Sequence, residues 1–263
     1  MKKLNGSQMI SEALKHEGVS VVFGYPGGAA LNIYDETYKQ EYFTHILTRH
    51  EQAALHAADG YARVSGEVGV AFVTSGPGFT NAITGLATAY ADSIPLVLIS
   101  GQVGLPLIGT DAFQEIDAVG ISRPCVKHNF LVKSIEELPL ILKQAFYIAR
   151  SGRPGPVHVD IPKDVTAAKT EYTFVEAAPV APVTKNITEE SLQHAVELIK
   201  KSKKPFIFVG GGAVISEASE ELAEFASLVD APVCDSLMGK GAMDGTSERY
   251  TGMLGMHGTK TSN

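Results

Sequence analysis

Residues 68–100 read VGVAFVTSGPGFTNAITGLATAYADSIPLVLIS, and their pattern decides the fold. Val68 to Val73 is a short apolar run of strand length, and Pro95 to Ser100 is a second. Between them lie a turn of Thr74-Ser75-Gly76-Pro77-Gly78 and a helical pattern over about 79–92. Strand, glycine turn, helix, strand is a βαβ unit, whose two strands run parallel. Working outward, Val19 to Phe23 and Phe43 to Leu47 read as strands upstream. Val126 to Val132 and Val157 to Ile161 read as strands downstream. Helical patterns fill the gaps at about 28–39, 50–65 and 135–151. An earlier helix starts at Ser7 as its cap, buries Met9, Ile10, Ala13 and Leu14, and stops at Gly18. The fold class is therefore α/β with a doubly wound parallel sheet.

The alternation pauses near residue 165. Residues 166–187 hold Pro179 and Pro182 with no period and read as an extended linker. It resumes with a helix from Thr188 to about 202, a strand from Pro205 to Val209, a turn at Gly210 to Gly212, a helix from Ser216 to Val229 and a strand from Pro232 to Cys234. The expected organisation is a first domain over 1–165, a linker over 166–187 and the start of a second Rossmann-like domain over 188–263. So few strands do not close an ordinary sheet, so the chain is expected to continue past Asn263.

Composition narrows the function. The 263 residues are 44% hydrophobic and 19% charged, which is globular rather than disordered, and the net charge of −7 speaks against nucleic acid or an anionic membrane as partner. No apolar run approaches the length of a membrane span and no leader is visible, so a cytoplasmic location is expected. Cys125 and Cys234 have no metal spacing.

Four segments carry chemistry-bearing residues. Arg49-His50-Glu51-Gln52-Ala53-Ala54 opens a helix after a strand, where an acid is also favoured by the helix dipole. Tyr25-Pro26-Gly27-Gly28 follows the first strand. Thr74 to Asn81 occupies the carboxyl edge of the sheet, where open α/β folds bind ligands; no Lys follows its glycines, so it is not a P-loop. Ile108-Gly109-Thr110-Asp111-Ala112-Phe113-Gln114-Glu115 is the fourth. It is followed by Lys127-His128-Asn129, Gly152-Arg153-Pro154-Gly155-Pro156-Val157 and Asp160-Ile161-Pro162-Lys163-Asp164.

Together these runs resemble the thiamine-diphosphate-dependent enzymes of the acetolactate synthase type. The resemblance continues through Gly210 to Gly212, Ser236-Leu237-Met238-Gly239 and Met253-Leu254-Gly255-Met256-His257-Gly258, so it covers essentially the whole chain. It implies that the first domain binds the pyrimidine end of thiamine diphosphate and that the second begins a central FAD-binding domain. Glu51 is then the carboxyl that bonds the pyrimidine nitrogen and promotes removal of the thiazolium proton, with Gly28 and Gln114 beside it at the reacting end. Tyr25, Pro26, Gly27, Thr74, Gly76, Pro77, Gly78 and Asn81 line the thiamine site. Phe113, Gln114 and Lys163 line the substrate channel. Arg153, Gly211, Gly212, Met256 and His257 neighbour FAD, whose role in such enzymes is largely structural.

The implied reaction decarboxylates pyruvate and joins the remaining two-carbon unit to a second pyruvate or to 2-oxobutyrate, towards valine, leucine and isoleucine. The implied assembly is a homodimer or tetramer with the cofactor at the subunit interface, with a regulatory small subunit as a further partner. Magnesium ligands are expected in a diphosphate-binding domain with a Gly-Asp-Gly motif, which this sequence lacks, so the chain by itself is expected to be inactive. Rival readings are another thiamine-diphosphate carboligase, such as a glyoxylate carboligase, a 2-oxo acid decarboxylase, or a noncatalytic flavin- or nucleotide-binding module. The run at 108–115 separates the acetolactate synthase reading from the other thiamine enzymes. Two departures stand out: Gly104 where Pro commonly follows Gly-Gln-Val, and Lys240 where an apolar residue commonly follows Ser-Leu-Met-Gly.

Overall fold

The computed structural model describes residues 2–176, 180, 184 and 187–263. It divides into two compact units, residues 1–182 and 183–263.

The first unit opens with β1 (Lys2–Asn5), α1 (Gly6–His16), β2 (Val21–Gly24), α2 (Leu31–Lys39) and β3 (Thr44–Leu47). It continues through α3 (Glu51–Ser65), β4 (Gly69–Val73), α4 (Pro77–Asp92), β5 (Leu96–Gln102) and α5 (Ala118–Ser122). It ends with β6 (His128–Leu131), α6 (Leu138–Arg150), β7 (Pro156–Pro162), α7 (Lys163–Ala167) and β8 (Lys169–Tyr172). Six strands form one parallel sheet in the order β3-β2-β4-β5-β7-β6. Every residue of β4, β5 and β7 is buried, because helices cover both faces of these inner strands. That is why their sequences run apolar without a break.

The order contains a reversal that positions the site. From β2 the chain moves outward to β3, then returns to place β4 on the other side of β2. At such a switch point the loops leave β2 and β4 in opposite directions and open a crevice at the carboxyl ends of the strands.

Two expectations about the first unit need correction. The cap of α1 is Asn5, not Ser7: the Asn5 side chain accepts from the Gln8 amide at 2.8 Å, and Gln8 Oε1 accepts from the Asn5 amide at 3.0 Å. This reciprocal capping box satisfies two amides, whereas Ser7 is buried and donates to Thr166 O. The segment expected as linker from residue 166 is structured at its start. α7 packs on α1 so closely that an added Cβ at Gly6 would lie 2.4 Å from Val165 O. β8 then pairs antiparallel with β1, Lys2 opposite Tyr172. A strand at the extreme N-terminus supplies a partner that the local sequence of 169–172 does not announce. Pro179 and Pro182 lie outside the described residues.

The second unit holds α8 (Glu189–Lys201), β9 (Ile207–Val209), α9 (Gly211–Ile215), α10 (Ser219–Leu228), β10 (Val233–Asp235) and β11 (Tyr250–Met253). Its three strands are parallel in the order β11-β10-β9 over a small core of Val209, Ala226, Val233, Ala242 and Met243. The expected glycine turn at 210–212 is the cap and first turn of α9, and the helix expected from Ser216 begins at Ser219. Both cysteines are free thiols. Among the described residues no helix is long and apolar enough to cross a membrane.

Candidate active site

The crevice between β2 and β4 is where the glycine-rich segments meet. Glu51 enters it from α3. Its neighbour His50 is extended and caps the helix, Nδ1 accepting from the Gln52 amide at 3.1 Å. Helices α3 and α4 approach so closely that an added Cβ at Gly85 would lie 2.2 Å from Leu55 Cβ. One turn earlier on each helix, that approach brings Asn81 beside Glu51. Asn81 Nδ2 donates to Glu51 Oε2 at 2.9 Å. Glu51 is only 7% exposed, and its Oε1 has no hydrogen-bond partner among the described residues. One oxygen is thus oriented and the other is available to a ligand. Behind it, the Tyr34 hydroxyl donates to Phe72 O at 3.2 Å, and its pKa is pushed above the ordinary tyrosine range, mainly by burial and further by the charge of Glu51.

Thr74, at the end of β4, fastens the two loops of the crevice. Its Oγ1 accepts from the Ala29 amide at 3.1 Å. Glycine is required on both sides of it: an added Cβ would come within 2.4 Å of Thr74 Cγ2 from Gly27 and within 2.6 Å from Gly78. Gly28, by contrast, faces open space. Gly76 adopts φ +54°, ψ −116°, which only glycine tolerates. An added Cβ there would lie 2.6 Å from Gln114 O, so the 108–115 run lies directly against the β4–α4 turn.

That run is an irregular loop held by its own acid. Glu115 accepts from the Gly109 amide through Oε1 at 2.9 Å and from the Asp111 amide through Oε2 at 3.0 Å. Gly109, Asp111 and Gln114 all have positive φ. Phe113 projects outward at 87% exposure, so it is not a core residue here. Lys163 opens α7 directly after β7, at the same carboxyl edge, and Asp164 beside it accepts from the Leu105 amide at 3.2 and 3.1 Å.

The structure also reveals a buried polar chain. Ser100 and Gln102 of β5 share a face with His158 and Asp160 of β7, since side chains two apart on a strand point the same way. Ser100 Oγ donates to Asp160 Oδ1 at 2.6 Å and meets His158 Nε2 at 2.7 Å. Ser122 Oγ meets His158 Nδ1 at 3.0 Å, and the His158 ring stacks on Phe79. Gln102 Nε2 donates to Asp160 Oδ2 and to Ile116 O, each at 3.0 Å. Burial pushes Asp160 up to about 6 and His158 down to about 3. Two polar residues spaced two apart in each of two buried strands were the sequence signal for this chain.

The expected residues do not all converge. Tyr25, Pro26, Gly27, Gly28, Glu51, Thr74, Gly76, Pro77, Gly78, Asn81 and Gln114 belong to the segments that meet at the switch point. Arg153 does not: it precedes β7, at the opposite edge of the sheet, and binds the end of α4 through Ser93 Oγ at 2.6 Å and the carbonyls of Tyr90 and Ala91. Gly211, Gly212, Met256 and His257 lie in the second unit. Gly211 abuts Met238, Gly212 faces open space, and Met256 and His257 are exposed after β11. In that unit Asp235 accepts from the Tyr250 hydroxyl at 2.7 Å through Oδ2, while its buried Oδ1 has no partner among the described residues. Lys240 donates to the same hydroxyl at 3.4 Å.

Comparison with known proteins agrees with this geometry. Residues 4–121 match the thiamine pyrophosphate enzyme N-terminal TPP binding domain, and residues 192–263 match the central domain of the same enzymes. The acetolactate synthase large subunit of Haemophilus influenzae is 54% identical over 268 residues, covering 100% of this chain and 47% of that protein. The acetolactate synthase isozyme 3 large subunit of Escherichia coli is 52% identical, covering 100% of this chain and 46% of that protein. A probable acetolactate synthase large subunit of Methanocaldococcus jannaschii is 51% identical, covering 99% and 45%. The chain spans about half the length of the curated relatives it matches.

Proposed function

The chain belongs to the thiamine pyrophosphate enzymes, and on that premise we propose that it is the N-terminal part of an acetolactate synthase catalytic subunit. The whole protein would decarboxylate pyruvate and join the two-carbon unit to pyruvate or 2-oxobutyrate, in the synthesis of valine, leucine and isoleucine. The observation that carries the reading is Glu51: a nearly buried carboxyl at the switch-point crevice, one oxygen held by Asn81 and the other unpartnered. A bound thiamine diphosphate supplies the electron sink at its thiazolium carbon. Glu51 Oε1 holds or delivers the proton at the pyrimidine nitrogen, and Asn81 keeps the carboxyl from turning away. Such positioned proton transfer contributes about 10²- to 10⁴-fold to a rate. The open space over Gly28 fits a flat ring at close approach, while Gly27 and Gly76 let Thr74 and Gln114 close around it. Phe113, Gln114 and Lys163 face the oxo acids.

Magnesium and FAD accompany the family resemblance. For FAD, Gly211, Gly212, Met256 and His257 are the proposed neighbours, and the unpartnered Asp235 Oδ1 is a polar atom in want of a donor. Arg153 joins this set only from the resemblance, since its side chain is engaged by the end of α4. A homodimer or tetramer, a regulatory small subunit and a cytoplasmic location complete the proposal.

The test uses the whole protein with pyruvate. Carbon dioxide and acetolactate should appear only when thiamine diphosphate and magnesium are supplied. Carbon dioxide with acetaldehyde instead of acetolactate would favour a decarboxylase, and no turnover of any 2-oxo acid would favour a noncatalytic module.

A further inference from the structure

The loop between Val103 and Asp117 has little apolar anchoring: Leu105, near its start, packs partly buried against the core, and among the described residues the 108–115 run beyond it has no such contact. Leu107 and Phe113 are exposed, and no residue from 103 to 117 is fully buried. Its internal bonds to Glu115 shape it but do not attach it to anything. Its two ends carry local turn bonds, from the Val103 amide to Gln102 Oε1, from the Ala118 amide to Ile116 O, and from the Gly120 and Ile121 amides to Asp117. Among the described residues, two further hydrogen-bonded ties cross from the loop to the rest of the unit. One is the exposed bond from the Leu105 amide to Asp164. The other is half-buried and starts from a buried side chain: Gln102 Nε2 donates to Ile116 O at 3.0 Å.

Gln102 has no freedom to choose another arrangement. Its Oε1 accepts from the Val103 amide at 2.9 Å, and its other N–H goes to Asp160 Oδ2. Asp160 is in turn fixed by Ser100. An amide with all of its strong bonds satisfied inside a buried network is a rigid anchor. The neighbouring residue does the complementary task on the opposite face of β5. An added Cβ at Gly101 would lie 2.7 Å from the Ala29 backbone, so that glycine seats the turn over which Gly28 opens. Two consecutive residues of one strand therefore set the cofactor turn and the end of the 108–115 run.

We propose that Gln102 is the positioning residue of the substrate loop, with Asp160 as the group that orients its amide. Through Ile116 it determines where Gln114 lies against Gly76 and where Phe113 projects. The functional meaning rests on the reading of Phe113 and Gln114 as channel residues; the anchoring itself does not.

The test variant is the double exchange Gln102→Glu with Asp160→Asn, in the whole protein at about pH 8. The new amide at position 160 can donate to the carboxylate at 102 and still accept from Ser100, so the buried pair survives with reversed polarity. At Ile116 the donor is replaced by a carboxylate oxygen, which repels the carbonyl that Nε2 bonded. Amides of residues 109–117 should exchange at least tenfold faster, with those of Leu96–Ser100 unchanged. The ratio of products from mixed pyruvate and 2-oxobutyrate should change at least twofold, while thiamine diphosphate affinity stays within twofold. Ser100→Ala removes two bonds from the same network without touching Ile116; it should lower the melting temperature and leave loop exchange and product ratio alone. Unchanged loop exchange in the double variant, or equal loosening by Ser100→Ala, overturns the proposal. A loosened loop with an unchanged product ratio, also unchanged in Phe113→Ala, upholds the anchor and removes the channel reading instead.

Discussion

Changing Gly78 to Ala puts a methyl 2.6 Å from Thr74 Cγ2, where ordinary contact needs about 3.4 Å or more. Thr74 cannot retreat, because the Gly27 backbone lies against its other side. It has to rotate, and rotation takes Oγ1 away from the buried Ala29 amide. An abandoned buried donor costs about 1–3 kcal/mol. Replacing a helical glycine by alanine returns about 1 kcal/mol, so the net loss is about 0–2 kcal/mol. Thr74→Ser deletes the offending methyl and keeps the oxygen, at a cost of roughly 1 kcal/mol for the lost buried group. In that background the nearest atoms to the methyl added at position 78 are Glu51 Oε1 at 3.3 Å and the Cβ of residue 74 at 3.6 Å. Gly78→Ala should then be neutral or slightly stabilising. The four chains of the cycle can be compared by urea titration, with exchange of the β4 and α4 amides reporting the first unit alone. The glycine-to-alanine gain cancels between the two backgrounds, so the cycle should show a coupling of about 1–3 kcal/mol. Costs that add within about 0.5 kcal/mol would mean that Thr74 does not hold the turn as described.

Three further outcomes follow from the same structure. Asp160 titrates at about 6 in place of 3.8, so between those values the folded chain holds a proton that the unfolded chain has released. Its contribution to stability is present below about pH 4 and is lost as pH rises through 6. His158, at about 3 in place of 6.5, acts in the opposite sense, adding stability as pH rises from 3 to 6.5. Asp160→Asn removes the opposing contribution, so its stability should climb more steeply between pH 4 and 6, by on the order of 1 kcal/mol per pH unit; parallel wild-type and variant curves would refute this. With Asp160 ionised, Ser100 must donate to it and accept from His158, so nitrogen NMR above pH 7 should show the proton on Nε2, and a proton on Nδ1 would reverse the chain. Arg153→Met should cost about 1 kcal/mol by uncapping α4 without altering thiamine diphosphate affinity in the whole protein; a changed affinity would bring Arg153 into that site.

The parts of the fold that follow from a local period were legible in the sequence. The six sheet strands and helices α2, α3, α4 and α6 are such parts, because buried parallel strands leave continuous apolar runs; the five-residue α5 was not read from the sequence. β1, β8 and β11 were not legible. Lys2–Asn5 and Lys169–Tyr172 become strands only through each other, across more than 160 residues, and Tyr250–Met253 is a short run with one glycine of positive φ inside it, Gly252, and another just after it, Gly255. In the site, Glu51, the glycines and Gln114 were visible as motifs, but the reasons for them were not. Gly76 is glycine because Gln114 lies against it, and Gly78 because Thr74 does. Arg153 shows the converse: a residue singled out with its motif whose side chain the structure engages elsewhere.

The central claim is that Glu51 acts on the cofactor, and exchange of the thiazolium C2 proton of bound thiamine diphosphate tests it most directly. In the whole protein, Glu51→Gln keeps an oxygen for Asn81 to bond, so folding stability should change little. Loss of the transferable proton should slow C2 exchange by about 10²-fold or more. An exchange rate equal to that of the unaltered protein, with cofactor bound in both, would contradict the account.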